Sequence, residues 1–146
     1  MHPDIHLHWP AIGASVAASF LLGGVWYGPL FGKAWAKGMG FPEGWRPSGG
    51  EMARAFALNI LGTFLIAFVL AHDEAIWRPS TWKLSPDEGA AVYGFFGGFF
   101  IWLGYIVPML LNGVAFERKP WKVFGISAAY QFLSLQAMGM ILSFWR

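Results

Sequence analysis

The chain has 146 residues, of which 56% are hydrophobic and 12% charged, and a mean hydropathy of +0.48. Ordinary soluble domains carry about 25% charged residues, so a water-exposed surface is excluded and lipid is the expected solvent. The absence of cysteine rules out disulfides, thiolate metal ligands and cysteine nucleophiles.

Charges fall between four uncharged runs, 5–32, 55–72, 89–116 and 123–145. A membrane-spanning helix needs roughly 20 apolar residues, and the backbone in lipid must satisfy its own hydrogen bonds. The runs lack the strict alternation of barrel strands. The expected fold is therefore all-α, a single transmembrane domain of four helices with spans near 9–31, 52–71, 88–116 and 121–145. A cleavable leader is not expected, because the first apolar run is too long and no Lys or Arg precedes it.

In chain order, the first eight residues, MHPDIHLH, place His2, Asp4, His6 and His8 on one side of an extended segment. Imidazoles suit zinc, copper or nickel, and His72, Asp73 and Glu74 fall on the same side of the membrane. A polar terminus at the interface is the simpler expectation, and no metal is expected. The first span carries Gly13, Ala14, Ala17 and Ala18, then Gly23, Gly24 and Gly28. Ser48 and Glu51 have capping-box spacing ahead of the second span. Ser85-Pro86-Asp87-Glu88 reads as the start of the third, with Ser85 as N-cap and Pro86 at the first helical position; this helix is long enough to tilt or to bend at Pro108. Pro120 takes the first helical position of the fourth span.

Seven Lys and Arg (Lys33, Lys37, Arg46, Arg54, Arg118, Lys119, Lys122) flank the first and third loops, against Arg78, Lys83 and Arg146 on the other side. The positive-inside rule then puts those loops in the cytoplasm and both termini outside, in a bacterial inner membrane. The net charge of +2 and pI near 9.1 fit anionic headgroups rather than nucleic acid, since the basic residues flank spans. Trp9, Trp77, Trp82 and Trp145 fall at the outer interface, and Trp35 and Trp121 at the inner one.

Two groups within the spans are candidates for function. Gly94, Gly97, Gly98 and Gly104 form a small-residue face for packing inside the bundle or against a partner. Tyr27, Asn59, Tyr105, Asn112, Tyr130 and Gln131 share the cytoplasmic half of the membrane, with Trp26 and Trp102 as walls of a pocket for a neutral ligand or a lipid headgroup. No ionised residue lies at mid-membrane in this reading, which disfavours a proton relay. The segments 23–35 and 104–121 each place Tyr before Pro, then Phe, basic residues and Trp. Duplication of a two-helix hairpin would produce this likeness, and so would convergent interface chemistry.

The stretches GGVWYGPLFGKAWAKGMGF at 23–41 and FERKPWKVFGISAAYQFLSLQAMGMIL at 116–142 resemble a bacterial membrane family catalogued as domain of unknown function 1761. The resemblance lies in Trp26-Tyr27 with Pro29 and the GKAW stretch, and in Trp121-Lys122-x-Phe124 followed by Tyr130. It covers nearly the whole chain, implies a four-helix membrane fold and implies no activity or catalytic residue. No P-loop, nucleophile elbow or HExxH occurs in its required context, so an enzyme is not expected. The leading expectation is an accessory or packing subunit of a membrane complex, or a lipid-binding bundle, with lipids and itself or another membrane protein as partners. A dimeric transporter or channel for a neutral solute is the alternative, and metal handling by the N-terminal histidines a third.

Overall fold

A computed structural model of the chain describes Pro3 and residues 5–145. Helix α1 runs Trp9–Val25 and passes without interruption into a π-helical turn, Trp26–Leu30. A short helix, α2 (Gly32–Gly38), follows, then α3 (Gly49–Trp77). Helix α4 (Ala90–Ile101) passes through a second π-helical turn (Trp102–Ile106) into α5 (Val107–Ala115), and α6 (Trp121–Phe144) ends the fold. Among the described residues, four stretches are long and apolar enough to cross a membrane: Trp9–Leu30, Gly49–Trp77, Ala90–Ala115 and Trp121–Phe144. No strand occurs among the described residues.

Several boundaries differ from the sequence expectation. The second span extends six residues further, through His72, Asp73 and Glu74 to Trp77, because Glu74 finds partners inside the bundle. The third begins at Ala90 with Gly89 as its cap, and Ser85-Pro86-Asp87-Glu88 is not helical. Asp87 instead accepts hydrogen bonds from the Ser80 amide and hydroxyl at 3.0 and 2.8 Å, which fastens the preceding 3₁₀ turn (Pro79–Trp82). Pro120 is the N-cap of α6 rather than its first residue. The Lys33–Lys37 stretch, expected as loop, is helical in α2. The Ser48–Glu51 capping box forms as expected, with Glu51 N donating to Ser48 Oγ at 3.3 Å and Ser48 N to Glu51 Oε2 at 2.7 Å.

Helix α6 is the axis of the bundle. It packs most extensively against α4 and next against α1, while α3 packs against α1, α4 and α6 in turn. About 44% of its most apolar stretch is buried, against 11% for the third span, which therefore faces outward over most of its length. The core gathers Ala11 and Ile12, Ala67 and Leu70, and Leu135, Met138 and Leu142 at the end that carries both termini. There the His8 and Trp145 rings lie 5.3 Å apart.

Proline explains the two π turns. Pro108 has no N–H for the Gly104 carbonyl one turn back, and its ring would press on that carbonyl. The preceding turn widens, and the Val107 amide bonds to the Trp102 carbonyl five residues earlier. Pro29 lies inside the equivalent turn of α1, closed by Phe31 N bonding to Trp26 O at 2.8 Å. Immediately beyond it, Gly32 passes so close to the Tyr27 carbonyl that a Cβ there would collide with it. Both turns start at a Trp-x-Gly triplet, Trp26–Gly28 and Trp102–Gly104. In the structure the likeness between the first and third spans resides in this triplet.

Candidate functional site

Helices α1 and α6 join along a stripe of small polar residues. Ser15 and Ser19 are one turn apart, and Ser127, Tyr130 and Ser134 are spaced three and four apart, so each set lies on one helix face. Ser19 and Ser134 share a 2.6 Å hydrogen bond, and the Tyr130 hydroxyl donates to the Ser19 carbonyl at 3.1 Å. Tyr27 stacks edge-on to Tyr130 at 5.1 Å, its hydroxyl 3.4 Å from Ser127 Oγ. Gly23 makes room for this, since a Cβ there would stand 3.0 Å from the Tyr130 hydroxyl. Such bonds stabilise helix association by about 0.6 kcal/mol each on average. This seam is packing: its polar groups satisfy each other.

The indoles of Trp26 and Trp102 donate to α6 backbone carbonyls, Ile126 at 3.0 Å and Ala128 at 2.8 Å. Positions two apart on a helix differ by about 200°, so the two rings grip α6 from different sides rather than walling one pocket. Of the expected polar cluster, Tyr27 and Tyr130 meet, while Trp26 reaches α6 separately at Ile126. Gln131 is half-buried, and Asn59, Tyr105 and Asn112 are exposed on the outside of the bundle. For Tyr105 the reason is the π turn. An unbroken helix would put Tyr105 within about 20° of the Gly98 face that meets α6, whereas the extra residue in the turn carries it outward to 69% exposure.

The glycines divide similarly. A Cβ on Gly94 would lie 2.9 Å from the Gly139 carbonyl oxygen, and one on Gly98 2.8 Å from that of Leu135. These two glycines let α4 and α6 touch backbone to backbone. Gly97 faces Glu74 and Leu70 of α3, at 3.3 and 3.4 Å from the position of a Cβ. Gly104 faces open space.

A charged network lies at the terminal end, built from residues that the sequence presents as loop charges. Glu74 is 3% and Arg78 6% exposed, and Arg78 Nη2 lies 3.6 Å from Glu74 Oε2. The Ser143 hydroxyl donates to Glu74 Oε2 at 2.5 Å and accepts from Arg78 Nη2 at 3.4 Å. The guanidinium also lies 4.8 Å above the Tyr93 ring, a cation–π geometry. The i,i+4 spacing of Glu74 and Arg78 was the available signal. Nothing in the sequence marked the second span as running that far.

Of the N-terminal histidines, His2 lies outside the described residues, as does Asp4. His8 caps α1, its Nδ1 accepting from Ala11 N at 3.3 Å. His72 Nδ1 lies 2.8 Å from the Phe68 carbonyl, within its own helix. Among the described residues no group of three or more His, Asp or Glu side chains could hold a metal ion.

Between α3 and α4 the surface opens into a groove of about 430 Å³. Asp73, Trp77 and Tyr93 lie at its terminal-face end, Phe96 and Phe100 along it, and Tyr105 at the far end. From Val92 to Tyr105 the helix rises roughly 20 Å, a little more than half of a ~30 Å hydrocarbon layer.

A family model described as protein of unknown function (DUF1761) matches residues 10–143. No curated protein and no solved structure matches the chain.

Proposed function

The chain belongs to the family described as protein of unknown function (DUF1761), which brings no activity with it, and we propose that it is a non-enzymatic membrane bundle that holds a lipid in the groove between α3 and α4. The observation that carries this reading is the groove itself. It is about one leaflet deep and aromatic and apolar along its length, with its one carboxylate, Asp73, beside Trp77 and Tyr93 at the end where a headgroup would lie and the Tyr105 phenol at the other. Tryptophan and tyrosine favour that interfacial depth. The α1–α6 seam argues against a solute path through the single chain, because its hydroxyls are engaged with one another.

The test is lipid retention by the intact protein, extracted with its native bilayer and read by native mass spectrometry. Val92 and Phe100 are 43% and 60% exposed, so Val92→Trp and Phe100→Trp fill the groove without disturbing the core. Each should lose a lipid that the wild type keeps through detergent exchange. Equal retention in all three proteins would sink the reading.

An accessory role in a complex has separate support. Residues 49–62 of α3 are all exposed, and Asn59 lies among them with Phe56, Leu58 and Leu61. An amide facing lipid is costly, so a protein surface over Asn59 is favoured, either another subunit or a second copy. A pair of copies meeting there would also bring the Asn59 amides together, as the transporter reading requires. The chain has no cysteine, so Asn59→Cys gives a clean crosslinking test. A covalent dimer supports self-association, a heavier adduct supports a foreign subunit, and an uncrosslinked monomer in native membranes rejects both. We further propose a bacterial inner-membrane location with both termini outside, on the Lys and Arg asymmetry. Labelling of Ser85→Cys, but not Ser48→Cys, by an impermeant thiol reagent on whole cells is the expected result, and the reverse pattern would invert the topology.

A further inference from the structure

The headgroup end of the α3–α4 groove carries a single charge. Asp73 lines it together with Trp77 and Tyr93, and no Lys, Arg or His does. Asp73 and Trp77 are one turn apart on the same face of α3. The Asp73 carboxylate is half-buried, and among the described residues it makes no hydrogen bond or ion pair. His72 is the described titratable group whose charge acts on it, and His72 Nδ1 donates to the Phe68 carbonyl at 2.8 Å. Glu74, which packs on Gly97, is held by Arg78 and Ser143. Asp73 is therefore the carboxylate that a ligand in the groove meets.

That arrangement selects among lipids. An anionic headgroup needs cations, and the groove presents none. A carboxylate one turn from the C-terminal end of α3 already lies in an unfavourable field, because the unpaired carbonyls give that end a partial negative charge. The last turn of α3 holds no basic residue, and Arg78, which follows it, is buried against Glu74. A cation at Asp73 is thus attracted by both the carboxylate and the helix end. Two neutral donors lie beside the carboxylate. The Trp77 indole, 77% exposed, has an N–H with no acceptor among the described residues. The Tyr93 hydroxyl accepts from the Glu88 amide at 3.1 Å and keeps its own proton to donate. A carboxylate flanked by two neutral donors matches an ammonium joined to a phosphodiester.

Resting on the reading of this groove as a lipid site, we propose that its occupant is phosphatidylethanolamine, whose ammonium donates to the Asp73 carboxylate while its phosphate accepts from Trp77 and Tyr93. Phosphatidylglycerol would set a net negative charge against the carboxylate. Phosphatidylcholine has no ammonium proton to donate. A charge-assisted hydrogen bond is about twice as strong as a neutral one, so selectivity resides at this end, and the apolar remainder of the groove takes acyl chains of any headgroup class.

The experiment uses the full chain in nanodiscs holding equal amounts of phosphatidylethanolamine, phosphatidylglycerol and phosphatidylcholine with the same acyl chains. Detergent release follows, and native mass spectrometry identifies the lipid that stays bound. The wild type should retain phosphatidylethanolamine about fivefold or more over either competitor. Asp73→Asn keeps the shape and removes the charge, so it should still retain lipid, with the preference over phosphatidylglycerol reduced to less than about twofold. Should that variant fail to fold, Asp73→Lys carries the test, and its preference should turn to phosphatidylglycerol. Three results overturn the assignment while leaving the groove a lipid site: lipid retained without preference, a preference unchanged in both Asp73 variants, or phosphatidylcholine retained as well as phosphatidylethanolamine. A wild type that retains no lipid at all overturns both.

Discussion

Replacing Gly98 with alanine tests how the third span is held. The added methyl would stand 2.8 Å from the Leu135 carbonyl oxygen and 3.0 Å from its carbon, both backbone atoms of a buried helix that cannot swing aside. Relief requires α4 and α6 to separate, and they form the most extensive helix pair in the bundle. Overpacking of this kind costs about 1–3 kcal/mol, roughly a 5- to 150-fold loss in the folding equilibrium constant. Gly104→Ala is the matched control. It lies on the same span with nothing within 4 Å of its Cβ position, and alanine there should be neutral or slightly stabilising. Reversible unfolding in mixed micelles, followed by circular dichroism, compares the two directly. Equal midpoints for both variants would mean that the backbone-to-backbone approach of α4 to α6 contributes nothing, and the packing argument would fail.

Arg78→Met takes the guanidinium from beside the buried Glu74 carboxylate and should cost about 3–5 kcal/mol. The double variant with Glu74→Gln should recover much of that in the same unfolding assay, whereas strictly additive losses would show that the pair does not act as a unit. Trp102→Phe removes the indole donor to the Ala128 carbonyl and should cost about 0.6 kcal/mol, up to ~1.7, with Trp26→Phe behaving alike. A loss several times larger in either would assign the ring a packing role that outweighs its hydrogen bond.

The spans were legible because lipid enforces a coarse rule: charges at the ends and apolar residues between. The capping box at Ser48 was equally readable, since its two bonds depend only on local spacing. The helix start at Ser85 was misread for the converse reason. Asp87 is as good a partner for Ser80 as for a helix N-terminus, and only the fold chooses between them. Glu74 and Arg78 were hidden by the assumption that charge marks the end of a span. Their burial depends on Ser143 and Tyr93, which are distant in sequence. The serines of the α1–α6 seam carry a helical spacing, but that spacing alone does not say which helix they face. Tyr105 and Asn112 were grouped with Tyr130 by depth alone, and depth does not specify the direction in which a side chain faces.

The π turns at Trp26 and Trp102 also bear on how tolerance to substitution is distributed. Each inserts a phase step of about 100° into an otherwise regular span. A scan of the third span would show intolerant positions recurring from Gly94 to Gly98, and the rhythm would then restart, one residue late, near Ile106 and Val107. A single-residue deletion within Trp102–Ile106 would remove the extra residue together with its phase step and leave Gly113 on its buried face, so the span should tolerate a deletion there better than one within Ala90–Ile101. The span therefore behaves as two short helices that share a backbone but answer to different neighbours, so the residues lipid meets above the turn give no guide to those it meets below.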